Sequence, residues 1–313
     1  MDSKDLLFGI MFLSQSAVGI VGNFTLFFYY LGLYYHEHSL KTTNLILKHL
    51  TVANSLIILS KGVPHTMRAF GLKQFFSELG CRFLFYFYRV GRIMSIIFTC
   101  LLSVFQATTI NPSNSCWKNL KFKATKYIGL FISLCWILYM MINLIFPIYI
   151  SHTEIHRKNV TEKRDFEYCS SGSRDSTVDR LYVALLLLPE VSLSVLIIWS
   201  SGSMVAILYR HKQRVQYIHS TVSSRASPES RATQHILTLV SAFLTFYTFS
   251  SILHACIALL NNPSLWLMNF TSVISMSFPS FGPFILMSHD STVFRLCFVW
   301  IKNKKSSNLF SNL

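Results

Sequence analysis

Apolar stretches of membrane-spanning length alternate with short polar segments along the whole chain. The first, Leu6 to Leu33, follows the opening MDSKD directly. A helix needs about 20 predominantly apolar residues to cross a bilayer, and this run exceeds that. It also exceeds the ~7–15 residues of a signal-peptide core, so it is expected to stay in the protein as an anchoring helix. Six further stretches read as spans, at about 43–62, 81–110, 127–150, 181–209, 235–260 and 264–288. The second is interrupted by Lys48, His49 and Asn54; the third carries Arg89 and Arg92; the seventh is rich in Ser and Pro. Backbone polar groups must pair within the segment in lipid, so each stretch is expected to be helical. The fold class that follows is an all-α membrane protein, a seven-transmembrane helix bundle forming a single domain over residues 1–313. Pro189, Pro279 and Pro283 fall inside spans, where proline removes a donor and kinks the helix.

Composition sharpens this picture. Charged residues are 13% and hydrophobic residues 52% of the 313, with 27 Phe and 14 Tyr; soluble domains run near 25% charged. The net charge of +15 would suit a nucleic-acid binder, but the Lys and Arg residues cluster between the apolar runs. The expected partner is therefore the lipid bilayer and not nucleic acid. With the N-terminus outside, the inner segments 34–44, 111–126, 210–231 and 289–313 hold 14 Lys/Arg and the outer segments, among them 1–5, 61–77 and 151–180, hold 10. Nine acidic residues lie outside and three inside, leaving the inner face at +11 and the outer face near +1. The positive-inside rule then expects a cytoplasmic C-terminus, with 289–313 as a cytoplasmic tail, in a multi-pass protein of the plasma membrane. No internal repeat is visible, which argues against an inverted-repeat transporter.

Chemistry-bearing residues are few. Cys81 stands at the outer end of span three and Cys169 in the outer loop between spans four and five. They are the one pair that this topology places together in an oxidising compartment; two free thiols are the alternative. Asn159-Val160-Thr161 is a glycosylation sequon in the same loop. Arg89 and Arg92 are three residues apart and share a helix face, with Arg89 roughly 12 Å below Cys81 at ~1.5 Å per residue. Glu190 is the only acid in any span. Ionisable groups at such depth face a bundle interior or a wet cavity, so Arg89 or Arg92 is expected to pair with Glu190, either lining a ligand pocket or fixing helix register. His254 is a further candidate for that pocket, though an interior histidine satisfied by its own helix is the commoner case. Asn23 and Asn54 are expected to hydrogen-bond helix to helix. The basic segment with Arg210, Lys212 and Arg214 is a topology anchor and a docking face for an intracellular partner. No phosphate-binding loop, metal-ligand pair or nucleophile elbow occurs, so no enzyme activity, cofactor or metal is expected.

Several segments resemble one family of rhodopsin-like receptors. Lys48-His49-Leu50-Thr51-Val52-Ala53-Asn54-Ser55 with Leu59-Ser60-Lys61-Gly62 is similar to span two of vomeronasal type-1 receptors. Leu102-Ser103-Val104-Phe105-Gln106-Ala107 resembles the end of their third span, and Pro283-Phe284-Ile285-Leu286-Met287-Ser288 the end of their seventh. The run from Ser201-Gly202-Ser203-Met204 through Tyr209-Arg210-His211-Lys212-Gln213-Arg214-Val215-Gln216 to Arg231-Ala232-Thr233-Gln234 resembles their fifth span and third inner loop. No Asp-Arg-Tyr motif closes span three, where Thr108-Thr109-Ile110-Asn111 stands, and Asn54 occupies the place of the usual span-two acid. The resemblance implies a chemosensory receptor that binds a small, pheromone-like and mostly apolar ligand in the outer half of the bundle. It also implies coupling to a heterotrimeric G protein of the inhibitory type. The rival readings are a bitter-taste-type chemoreceptor, a transporter or channel subunit, and a relic receptor that no longer signals.

Overall fold

The computed structural model describes residues 3–37, 41–71, 78–110, 126–144, 164–166, 169–171, 188–207, 209, 228–260 and 264–289. Seven helices long and apolar enough to cross a membrane occur among them. They are α1 Ser3–Glu37, α2 Thr42–Ala69, α3 Glu78–Ile110, α4 Lys126–Leu144 and α5 Leu188–Ile207, α6 Pro228–Leu259 and α7 Leu265–His289. The protein is a seven-helix bundle that crosses the membrane repeatedly. One element lies outside the all-helical expectation. An antiparallel hairpin, β1 Arg164–Phe166 and β2 Cys169–Ser171, sits in the α4–α5 connection with Phe166 opposite Cys169, and β2 rests against α3. Strands of three residues are too short to leave a period-2 signal in the sequence.

α3 is the most enclosed helix, and α4 and α5 are the least. Leu130, Leu134, Ile137, Leu138 and Met141 of α4, with Val191, Val195, Ile198 and Trp199 of α5, all point outward. Such a surface would be an aggregation liability in water; in lipid it is the solvated face. Met94, Ile96, Phe98 and Leu102 of α3 fill the centre, against Ile46, Leu47 and Leu50 of α2 and Phe243 and Phe278 of α6 and α7.

Lipid tails supply no apolar driving force between helices, so close approach and polar ties must hold them. A Cβ on Gly91 would come within 3.0 Å of the Ala53 carbonyl oxygen and 3.1 Å of Leu56 Cβ and Ile57 Cγ1, so α3 runs directly along the α2 backbone. Gly91→Leu is expected to lower stability by about 1–3 kcal/mol through overpacking, seen as a lower melting temperature in detergent. Gly202→Leu, at a position with open space around it, is the tolerated control. Equal melting temperatures for the two variants would contradict this contact. Polar ties complete the set. Ser95 Oγ of α3 donates to Asn54 Oδ1 of α2 at 2.9 Å. Trp136 Nε1 of α4 donates to His49 Nδ1 of α2 at 3.3 Å. Tyr86 of α3 donates to the Met140 carbonyl of α4 at 3.0 Å, and Ser103 of α3 meets Ser200 of α5 at 2.6 Å.

α2 departs from the expected boundary. It does not stop near Gly62 but continues to Ala69 through one π turn, Ile58–Gly62. The residue after that turn explains it. Pro64 has no N–H, and its ring opposes the carbonyl of Ser60 four residues back; a widened turn accommodates it without ending the helix. The consequence is that Lys61, which the charge pattern placed in an outer segment, lies inside the bundle at 7% exposure.

Candidate functional site

In the half of the bundle nearest the start of α1, where the Phe12 ring meets His65 of α2 at a tilt, 4.7 Å between centroids, polar side chains of five helices converge. Their centre is Arg92. A buried guanidinium has five N–H donors in one rigid plane, all of which need acceptors. Arg92 places Nε 2.5 Å from Glu190 Oε1 and Nη2 3.1 Å from Glu190 Oε2, a bidentate pair between α3 and α5. Nη2 also donates to Ser251 Oγ at 2.8 Å, and Nη1 donates to Ser250 Oγ at 3.0 Å and to the Tyr88 hydroxyl at 3.5 Å. Ser251 in turn donates to Glu190 Oε2 at 2.5 Å. The guanidinium lies over the ring of Tyr247, 5.0 Å from its centroid. Tyr247 stacks on Phe243 at 4.1 Å, and Phe243 meets Phe278 edge-on at 4.9 Å. One ion pair, floored by aromatic rings, therefore joins α3, α5 and α6.

The sequence-derived candidates fall as follows. Arg92, at 7% exposure, is the arginine that forms the bidentate pair with Glu190, itself at 8%. Arg89 is buried one turn toward the start of α3, and its charge also acts on Glu190. His254 lies one turn beyond Ser250 on α6; its Nδ1 donates to the Ser250 carbonyl at 2.7 Å and lies 3.4 Å from the Ser250 hydroxyl. Cys81 lies in the first turn of α3, one residue before its apolar span, and Cys169 opens β2; their side chains lie outside the described residues, as do Asn159, Arg210, Lys212, Arg214 and the tail from 290 onward. Among the described residues Cys100, Cys135 and Cys256 are free thiols, and no group of three His, Cys, Asp or Glu could hold a metal.

Several members of the cluster escaped the sequence reading. Lys61 Nζ donates to Ser275 Oγ of α7 at 2.9 Å and to the Tyr88 hydroxyl at 3.4 Å, and lies 4.6 Å from the Tyr88 ring centroid. Tyr88 thus touches both Lys61 and Arg92. Its position four residues before Arg92, on the same face of α3, is the signal that would have found it. Ser250, Ser251 and Ser275 give no such signal, because serine is common in these spans.

Comparison with known proteins adds the following. The model of the vomeronasal organ pheromone receptor family matches residues 7–299. Vomeronasal type-1 receptor 4 of Homo sapiens is 48% identical over 291 residues, covering 93% of this chain and 96% of that protein. Vomeronasal type-1 receptor 3 of Homo sapiens is 48% identical over 298 residues, covering 95% of each. Vomeronasal type-1 receptor 90 of Rattus norvegicus is 29% identical over 289 residues, covering 91% of each.

Proposed function

Because the chain belongs to the vomeronasal organ pheromone receptor family, we propose that it is a pheromone-sensing receptor whose ligand site is the cluster around Arg92 and Glu190. The observation that carries this reading is the buried ion pair between α3 and α5, tied to α6 through Ser250 and Ser251 and the one such pair among the described residues. A ligand can shift a conformational equilibrium only through different affinities for the two states. A group that links three helices at one point is where small differences in contact change the arrangement of all three. Arg92 is fully engaged by protein acceptors, so its part is to brace the site, while Arg89 and His254 stand at its edge.

The reading extends to orientation and partners. The N-terminus is outside, the membrane is the plasma membrane, and the cluster lies in the outer half of the bundle. The opposite face, with the basic segment of Arg210, Lys212 and Arg214, receives a heterotrimeric G protein of the inhibitory type. A disulfide between Cys81 and Cys169 ties the outer loop over the site, with Asn159 glycosylated on that loop; the seating of β2 against α3 supports this placement.

The test is a G-protein activation assay on the full-length receptor in cells, with an inhibitory-type reporter and a panel of volatile and steroid-like compounds. The expected result is a dose-dependent response that requires the receptor and disappears in Cys81→Ser. If the receptor reaches the cell surface, yet the reporter shows neither basal nor compound-dependent exchange, the receptor reading is wrong.

A further inference from the structure

The cluster is not electrically balanced. Glu190 is the only carboxylate in the seven spans, and it is committed to Arg92 through both oxygens and to Ser251. Lys61 is as deeply buried as Arg92. Among the described residues it forms no ion pair; its partners are the Ser275 hydroxyl, the Tyr88 hydroxyl and the Tyr88 ring, all neutral. An ammonium has three donors, and those two hydroxyls leave one of them without an acceptor among the described residues. The Tyr88 hydroxyl is within 3.5 Å of both Lys61 Nζ and Arg92 Nη1. Two cations therefore meet at one phenol, and among the described residues only Arg92 has a counter-charge.

Burying a charge without a counter-charge is costly, and among the described residues Lys61 has none. Lys61 follows Ile57 by one turn, on the same buried face as Asn54 and Ile57, and it lies within the π turn Ile58–Gly62 that carries the helix past Pro64. Single π turns of this kind recur at functional sites. The missing counter-charge is supplied from outside the chain if the ligand brings it.

We propose that Lys61 is the anchor for an oxyanion carried by the ligand, so that the receptor selects small amphiphiles with an apolar body and an acidic head. This inference rests on the proposal that the cluster is the ligand site. The acid group accepts the free donor of Lys61 and shares the Tyr88 hydroxyl, while the apolar body lies toward the aromatic residues of α6 and α7. Neutral analogues of the same shape leave the ammonium uncompensated and bind more weakly. A charge-assisted hydrogen bond of this type corresponds to roughly tenfold or more in affinity.

The experiment uses the full-length receptor in lipid nanodiscs, as the parent and as Lys61→Met. The probes are straight-chain alkanoates of graded length and aryl carboxylates, each with its primary amide. Two quantities are read: the melting temperature with and without probe, and the concentration that half-saturates its shift. The proposal expects acids to shift the parent at concentrations at least about tenfold lower than their amides, with the difference abolished in Lys61→Met. It also expects ligand-free Lys61→Met to melt at or above the parent, because an uncompensated charge has been removed. An equal effect of acids and amides, an acid effect that survives Lys61→Met, or no acid-dependent shift at all overturns it. A Lys61→Met variant that melts well below the parent and shows no acid selectivity assigns Lys61 a structural role and overturns it too. The G-protein assay separates this outcome from failure of the receptor reading. A receptor that signals to neutral compounds independently of Lys61 remains a receptor without an anion site.

Discussion

Replacing Glu190 with Gln is expected to remove the receptor from the cell surface, and replacing Glu190 and Arg92 together with apolar residues is expected to bring it back. The Glu190→Gln substitution keeps the shape of the side chain and one hydrogen-bonding oxygen for Ser251, so packing changes little. What changes is charge. Arg92 is held inside the bundle with its Nε and Nη2 both directed at the carboxylate, and it cannot shed its proton to escape. Breaking a buried pair by removing one partner costs about 3–5 kcal/mol, because the remaining charge stays buried without compensation. That is a large part of the roughly 5–15 kcal/mol that holds a typical folded protein together. Arg92→Met fails for the mirror-image reason: Glu190 loses both guanidinium bonds and keeps the Ser251 hydroxyl and the more distant charge of Arg89.

The double variant Arg92→Met/Glu190→Leu separates stability from signalling. Well-packed apolar replacements of a buried ion pair are often neutral, or stabilising by about 1–4 kcal/mol. The double variant is therefore expected to reach the surface and to melt near the parent. Under the proposed function it also loses its ligand response, because α3, α5 and α6 are no longer joined by a group whose geometry a ligand can alter. Surface labelling, melting temperature and the reporter assay together decide this. A Glu190→Gln variant with parental melting temperature would show that the pair is not the buried contact described. A double variant that signals normally would show that the pair fixes register and nothing more.

Much of this arrangement was legible in the sequence, for reasons that differ between residues. The spans follow from lengths of apolar chain that no soluble fold could hide. Arg92 and Glu190 stand out because charges in lipid-spanning helices are rare and need each other; the spacing of Arg89 and Arg92 placed both on one face, but only side-chain reach distinguishes which forms the bidentate pair. Lys61 was misplaced because Gly62 and Pro64 look like the end of a helix. Proline in water-soluble helices does end them, whereas a membrane bundle can carry the chain through a π turn and hold the freed groups by tertiary contacts. Ser250, Ser251 and Ser275 were not legible at all: a serine in a span normally bonds its own preceding turn, as Ser133, Ser203 and Ser241 do here. The β1–β2 hairpin was lost for want of length.

The second large effect is expected at Asn23, where α1 compensates for a proline in α7. Pro283 has no N–H, so the carbonyl of Pro279 four residues earlier has no helical donor. Asn23 Nδ2 donates to that carbonyl at 2.9 Å, and to the Gly19 carbonyl of its own helix at 2.8 Å. Asn23 is fully buried, and a Cβ on Gly22 would meet Pro283 Cβ at 3.0 Å, so α1 is close enough to α7 to make this bond and too close for a bulky substitute. Asn23→Ala leaves a buried carbonyl unpaired in a medium with no water to replace the donor, a loss of about 1–3 kcal/mol. The same physics makes the effect conditional. Pro283→Ala restores an N–H that reaches the Pro279 carbonyl within the helix, so in that background Asn23→Ala is expected to cost much less. A double-mutant cycle on melting temperatures reads the difference directly. Coupling of about 1 kcal/mol or more, with Asn23→Ala nearly silent beside Pro283→Ala, establishes that the asparagine acts by repairing the proline. Additive losses would mean that Asn23 holds α1 in place by other contacts, and that the proline in α7 is tolerated without it.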